Sequence, residues 1–404
     1  MSEKPLRILV MIHRLMDNSP YCFYVHEQAK ALAARGHDVQ VISCVGVPPL
    51  RKRLRPENAK IIDATPREAV IDGIPVFYPR ALTLGNAGER VFGGRLMARA
   101  ALPVAKRLHA QKPFDIVHAH MLPVDGHAGL IVAKALGVPC AITIHGTDIF
   151  HYFIPGKTPW RRNVRIAGEA DALMAVSSLL LSRVAPYRGE GKLSRVVPNG
   201  VDLSLVPERT ENTPRAVISV GTLKARKCMD RTLEAFARVA GEYPDGTLTI
   251  VGIGEMEAQL RARIKELGLE KRATLTGGLP HEEVLRRMAG SDLFVLPSWG
   301  EGYGIVYIEA MAAGCIAVGA KGEGIEDTIA DGENGFLVPA GDIDEIERVM
   351  RAVFEKREAY ADLREAGRLA ARAMTWARNA RDTEAVYREA IASRSGRQGR
   401  QEHA

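Results

Sequence analysis

Short apolar runs recur along this chain in a way that a covered parallel sheet accommodates best. In the first half they are Arg7-Ile-Leu-Val-Met-Ile, Asp38-Val-Gln-Val-Ile-Ser, Asp115-Ile-Val-His-Ala-His, Cys140-Ala-Ile-Thr-Ile-His and Ala172-Leu-Met-Ala-Val-Ser. Each is nearly continuous in apolar character and is separated from the next by a helical pattern, so both sheet faces need helices packed on them. The same grammar restarts at Ala216-Val-Ile-Ser-Val and continues through Thr247-Leu-Thr-Ile-Val, Ala273-Thr-Leu-Thr, Leu293-Phe-Val-Leu and Ile316-Ala-Val. The expectation is α/β architecture with two Rossmann-like units in tandem, joined near Pro198-Asn-Gly-Val-Asp202, where turn residues separate the two strand systems. A length of 404 residues suits two domains of ordinary size better than one core. We place the domains at 1–197 and 198–374, followed by a helix over 375–392. Residues 393–404 have no apolar content beyond a terminal alanine and are expected to be a disordered tail.

Composition narrows the class. Hydrophobic content of 46% and charged content of 25% belong to a soluble globular protein. Cys22, Cys44, Cys140, Cys228 and Cys315 are scattered without metal-ligand or redox spacing, which fits a reducing compartment. The N-terminal residues lack the apolar core of a signal peptide, and the run over 308–320 is too short to span a bilayer, so the expected location is cytoplasmic. Charge is unevenly spread: residues 1–200 hold 27 Lys and Arg against 15 Asp and Glu, whereas 201–404 hold 28 against 33. Basic clusters at Arg51-Lys52-Arg53-Leu54-Arg55 and over 95–107 would attract an anionic membrane surface or an anionic acceptor. Despite a pI of about 9.1, no helix-turn-helix, zinc-finger or RNP pattern accompanies the charge, so no nucleic-acid partner is expected.

The stretch richest in chemistry is Ser298-Trp-Gly-Glu301-Gly-Tyr-Gly304-Ile-Val-Tyr-Ile-Glu309, which leaves an apolar strand and enters a helix. Gly302 and Gly304 permit a turn whose amides, from Gly302 through Tyr303 and Gly304 to Ile305, can point at phosphate or sugar oxygens. Glu301 would accept from sugar hydroxyls and Glu309 from a vicinal diol such as a ribose. Ala141-Ile-Thr-Ile-His145-Gly146-Thr147-Asp148 puts a histidine at the C-terminal end of a strand, where open α/β sheets bind ligands. His118 and His120 end another strand; a cleft role is assigned to His120, on the acceptor side.

These segments together resemble family 4 of the glycosyltransferases, whose E-x7-E signature matches Glu301 and Glu309 and whose H-G-T-D block matches 145–148. The resemblance implies the GT-B fold, with two parallel-sheet domains facing across a cleft and the last helix returning to the N-terminal domain. It implies a retaining sugar transfer from a UDP- or GDP-sugar to a hydroxyl of a glycan or lipid-linked acceptor, in polysaccharide or glycolipid synthesis. Glu301 would then hold the donor sugar, Glu309 the ribose and Lys227 the diphosphate. His145 would sit beside the reacting sugar, and Gly252 near the nucleotide. The family's arginine position is Thr222 here and its glycine after the lysine is Cys228, leaving Lys224 or Arg226 to supply the second cation. The first-turn glycines are replaced by Asn18-Ser19-Pro20, with Asn18 placed on the acceptor side. With no double-displacement carboxylate pair evident, front-face departure of the diphosphate is the expected route.

No cofactor or metal is expected, the nucleotide sugar being a co-substrate. Val251-Gly252-Ile-Gly254 is only part of a dinucleotide fingerprint, which argues against a redox cofactor. Asp342-Ile-Asp344 mimics a D-x-D metal motif, yet it opens a helix, where Asp342 reads as an N-cap and Glu345 as the partner in a capping box. The alternative reading is a nucleotide-sugar epimerase of the same architecture, distinguished by products formed without an acceptor.

Overall fold

The computed structural model describes residues 4–13, 23–49, 56–157, 159–209 and 215–402. Asn18 and its neighbours, and the Arg51 to Arg55 cluster, lie outside the described residues. The chain forms two compact units, Met1–Pro198 with Trp376–Ala404, and Asn199–Thr375.

In the first unit the strands are β1 Arg7–His13, β2 Asp38–Val47, β3 Glu68–Ile71, β4 Ile74–Phe77, β5 Arg80–Leu82, β6 Ile116–His120, β7 Cys140–Ile144, β8 Ala172–Ala175 and β9 Leu193–Val196. Their order is β3-β4-β2-β1-β6-β7-β8-β9, with β5 also paired to β2. The chain first builds outward from β1 through β2 and then returns to build β6 to β9 on its other side. The strand order therefore reverses at β1 and β6, the place where such sheets bind ligands beyond their C-terminal ends. His13, His120 and His145 all lie at those ends.

The second unit has β10 Ala216–Val220, β11 Thr247–Val251, β12 Ala273–Leu275, β13 Leu293–Val295, β14 Ile316–Ala320 and β15 Phe336–Val338, in the order β12-β11-β10-β13-β14-β15. Every pairing in it is parallel. Its reversal lies between β10 and β13, the strands that Lys227 and Glu301 follow.

The ten runs read from the sequence are all strands. Beyond them the structure adds β3, β4, β5, β9 and β15, each only three or four residues long. One of them had a local signal: β3 and β4 are antiparallel around Asp72-Gly73. Both turn residues take positive φ, 47° and 78°, the conformation that favours Asp-Gly in tight hairpins.

The helix Trp376–Glu402 packs on the first unit, as the resemblance implied. Ala380, Val386, Tyr387 and Ala390 enter the same core as Val25, Ala29 and Leu32 of the helix Phe23–Ala34. Polar contacts fix its register: Gln28 Nε2 donates to Asn379 Oδ1 at 2.7 Å, and Arg35 pairs with Glu384 at 2.6 Å. The helix runs past 392, where a disordered tail was expected, to Glu402. Arg394 reaches Asp171 at 3.2 Å, and the arginines and glutamines beyond it are good helix formers. Asp342 does cap its helix, accepting from the amides of Asp344 and Glu345 at 3.1 Å each. The capping box does not form: the Asp342 N–H donates to the Pro339 carbonyl at 3.1 Å, and the Glu345 carboxylate pairs with Arg348 at 2.9 Å.

Candidate functional site

The second unit gathers charge where β10 and β13 end. After β10 the chain makes a tight turn, Ala225–Lys227, and Cys228 follows with a φ of 52°. That left-handed conformation strains a residue with a Cβ, which is a physical reason for glycine at this position in relatives of the pattern. The turn delivers Lys227 Nζ directly to Glu301 Oε2, a bonded pair whose side chains are only 10% and 14% exposed. Arg226 lies alongside, its Nη1 3.9 Å from the same carboxylate and 3.3 Å from the Gly300 carbonyl. Of the two residues proposed for the second cation, Arg226 is thus the one beside Glu301; Lys224 is exposed at the turn's start.

The turn after β13 is pinned from below. Gly300 and Glu301 donate their backbone N–H groups to the Glu323 carboxylate at 2.9 and 2.7 Å, and Gly324 donates back to the Glu301 carbonyl at 3.1 Å. Sequence reasoning missed Glu323; only its place between two glycines after β14 hinted at a turn. The left-handed residues here are Gly300 and Gly304, at 67° and 83°, not Gly302. At Gly304 a Cβ would meet the Tyr307 ring at 2.5 Å. Tyr303 is 2% exposed, so its side chain is not presented to a ligand. Buried Tyr307 donates to the Leu296 carbonyl, and its hydroxyl lies 3.2 Å from Ser298 Oγ. Burial, with Glu301 nearby, raises its pKa, so it stays a neutral phenol.

Glu309 sits on the helix Ile305–Ala312 and is 8% exposed. Its Oε1 meets His281 Nε2 at 2.8 Å, a partner the sequence reading did not foresee. Gly252, at the end of β11, is demanded by packing: a Cβ there would lie 1.8 Å from the Gly221 carbonyl oxygen. A glycine there serves the close approach of two strand ends.

In the first unit, Asp148 organises the turn that carries His145. Its buried carboxylate accepts from the amides of His145 at 3.1 Å, Gly146 at 2.8 Å and Leu122 at 3.2 Å. His145 Nε2 lies 3.0 Å from His120 Nδ1, and Tyr24 packs on the His145 ring at 4.2 Å between centroids. His120 is 1% exposed, which corrects its assignment as an acceptor contact: it supports His145 from behind. Burial lowers the pKa of His118 and of His145 to about 3, and that of His120 well below the ordinary value, so all three rings are neutral near pH 7. His13, at the end of β1, bonds Asp125 at 2.8 Å. His120 and His145 thus belong to one unit, and Lys227, Arg226, Glu301 and Glu309 to the other. Among the described residues no three His, Cys, Asp or Glu side chains cluster as metal ligands, and no helix is long and apolar enough to cross a membrane.

Comparison with known proteins agrees with this arrangement. The family model "Glycosyltransferase Family 4" matches residues 23–205, and "Glycosyl transferases group 1" matches 205–370. The chain is 27% identical over 349 residues to a glycogen synthase of Mycobacterium tuberculosis, covering 82% of this chain and 81% of that protein. It is 26% identical over 401 residues to D-inositol 3-phosphate glycosyltransferase 1 of Catenulispora acidiphila, covering 93% and 91%. Its fold matches that of HepE from Anabaena, solved with UDP and glucose, with a TM-score of 0.71 at 20% identity, over 95% of this chain and 100% of that one. Two matched models spanning 23–370, on two parallel-sheet units of GT-B type, establish that this chain is an enzyme of glycosyltransferase family 4.

Proposed function

We propose that this enzyme transfers a sugar, with retention at the anomeric carbon, from a UDP- or GDP-sugar to a hydroxyl of a glycan or lipid-linked acceptor. The observation that carries the reading is the Lys227, Arg226 and Glu301 cluster at the switch point of the second sheet. A departing diphosphate develops negative charge that side-chain cations and nearby backbone amides can stabilise. Lys227 and Arg226 are the cations at hand, and Glu301 is suited to accept from sugar hydroxyls once a donor draws Lys227 toward its phosphates. Glu309 accepts from the ribose diol, with His281 holding its carboxylate. No metal or other cofactor is assigned, since the two cations supply the charge compensation. HepE, solved with UDP and glucose, supports a nucleotide-sugar donor by likeness of fold.

The decisive experiment is a panel of nucleotide sugars assayed for nucleotide diphosphate release, with product stereochemistry read by NMR. Release from one UDP- or GDP-sugar with an α-linked product from an α-donor is expected; an inverted product would refute retention. EDTA should leave turnover largely intact, and loss restored by manganese would show that charge compensation is misassigned.

We further propose docking on anionic membrane through the helix Gly85–Gln111. It exposes Val91 and Phe92, 45% and 48%, beside exposed Arg95 and Arg99. Apolar and basic groups side by side suit an interfacial site. Liposome sedimentation tests it: binding to anionic vesicles that falls with salt is expected, and equal, negligible binding to anionic and neutral vesicles would remove the proposal.

A further inference from the structure

Three guanidinium groups crowd one buried carboxylate at the end of the second sheet opposite to Lys227 and Glu301. The carboxylate is that of Asp292, which directly precedes β13 and has a side chain only 1% exposed. Its Oδ2 accepts the Arg215 backbone N–H at 2.7 Å. Its Oδ1 accepts from Arg209 Nη2 at 2.7 Å and from Arg357 Nε at 2.8 Å, while Arg364 Nη2 stands 3.6 Å from the same oxygen.

A carboxylate oxygen has two lone pairs, and Arg209 and Arg357 take those of Oδ1. A separation of 3.6 Å is too long for a hydrogen bond, so Arg364 neighbours the charge without bonding to it. Arg364 Nε and Nη2 are buried with no partner among the described residues, and Nη1, equally without a bond there, is the nitrogen left at the surface of a side chain 15% exposed. Arg357 opens the turn Arg357–Tyr360 with its side chain 32% exposed. It gives Asp292 only its Nε, and neither Nη group makes a bond among the described residues. Arg209, by contrast, is committed: its Nη1 donates to the Ser291 and Gly314 carbonyls at 2.6 and 3.0 Å. Burial lowers the pKa of Arg364, and the positive charges of Arg209 and Arg357 add to that effect against Asp292. Charge in excess of its partners is costly at such a depth, and guanidinium forks with uncommitted N–H groups suit an oxyanion.

We propose that Arg357 and Arg364 form a binding site for a phosphate group, free or on a small phosphomonoester, at the opposite end of the second sheet from the donor cluster. Arg357 offers its two Nη groups and Arg364 its Nη1, with Asp292 holding the Arg357 fork in place. A phosphate group carries about −1.5 to −2 at pH 7, which balances the three cations once Asp292 has supplied one negative charge. A carboxylate ligand would leave the cluster positive. The site does not depend on which sugar the enzyme transfers.

Calorimetric titration of the full chain with inorganic phosphate and with a hexose phosphate, at constant ionic strength, tests the site. Saturable binding is expected to survive Lys227→Met, which disables the donor cluster, and to weaken about tenfold in Arg357→Gln and in Arg364→Gln. Binding of either probe in this pattern supports the proposal, and the tighter of the two tells whether the group arrives free or as an ester. Binding lost in Lys227→Met but kept in Arg357→Gln would put the phosphate in the donor cluster and overturn the proposal, as would no saturable binding of either probe. Unfolding midpoints guard against a variant that is merely damaged. Phosphate should raise the midpoint of the unmodified chain and of Lys227→Met but not that of folded Arg357→Gln, and an equal rise in all three would overturn the site.

Discussion

Single residues in this enzyme are decided by what lies within one bond length of them. Glu309 is nearly buried and its carboxylate already has one partner in His281. If Glu309 holds the ribose as proposed, Glu309→Ala should weaken nucleotide diphosphate binding by roughly 1 to 3 kcal/mol, the cost of removing an acceptor in a desolvated place. Calorimetry on the folded variant measures this, and unchanged affinity would sink the ribose assignment. Gly252 is decided by a backbone oxygen: an added Cβ has no room beside the Gly221 carbonyl. Gly252→Ala should therefore lower unfolding free energy by more than about 2 kcal/mol, read as a fall in denaturant midpoint at constant slope. Gly36, also left-handed, has open space at its Cβ position, so its substitution costs backbone strain alone.

Elements are held to one another by a few buried charges as well as by apolar faces. Asp292, 1% exposed at its side chain, receives Arg209 at 2.7 Å, Arg357 at 2.8 Å and the Arg215 amide at 2.7 Å. It thus ties the segment entering β10 and the turn after the helix Ile343–Glu355 to the start of β13. Removing one partner of a buried pair leaves the other uncompensated, so Asp292→Ala should cost about 3 to 5 kcal/mol. Asp342→Ala removes only a helix cap and should cost about 1 kcal/mol. Thermal or denaturant unfolding of the two variants gives the comparison; equal losses would mean the arginines find other partners. Asp342 announces its cap in the sequence, whereas Asp292 reads there as an ordinary aspartate and only the packing around it shows its load.

At the scale of the whole molecule, buried titrating groups set an acid limit on stability. His118 has its pKa depressed to about 3 by burial, so the unfolded chain takes up its proton first as pH falls below about 6.5. Stability should fall from there downward, with a slope from this residue of up to about 1.4 kcal/mol per pH unit. His145 adds in the same direction. Glu384 acts lower: desolvation pushes it up, but hydrogen bonds from Arg388, Arg35 and His37 outweigh that and hold it at about 2. Its contribution is present above about 4.5 and is lost as pH falls toward 2, loosening the last helix. Unfolding midpoints between pH 7 and 5 should decline, and the decline should shrink in a folded His118→Gln variant; a flat profile would contradict neutral burial.

The two-unit α/β plan, the switch-point strands and the Glu301 to Glu309 stretch were legible because apolar runs and turn residues are local properties of the chain. Continuous apolar runs need cover on both faces, and that requirement alone dictates parallel sheets with helices around them. The short strands β3, β4, β5, β9 and β15 were not legible, since at three or four residues their pattern is too brief and their stability comes from a neighbour's hydrogen bonds. Nor were the partners: Glu323 beneath the Glu301 turn, His281 on Glu309, Tyr387 behind His118. Those contacts join residues 22 to 269 positions apart in the chain. A side chain such as His120 reads the same in sequence whether it faces a ligand or a second histidine. Only the tertiary structure decided between them, because burial and hydrogen-bond geometry exist only once distant segments have packed together.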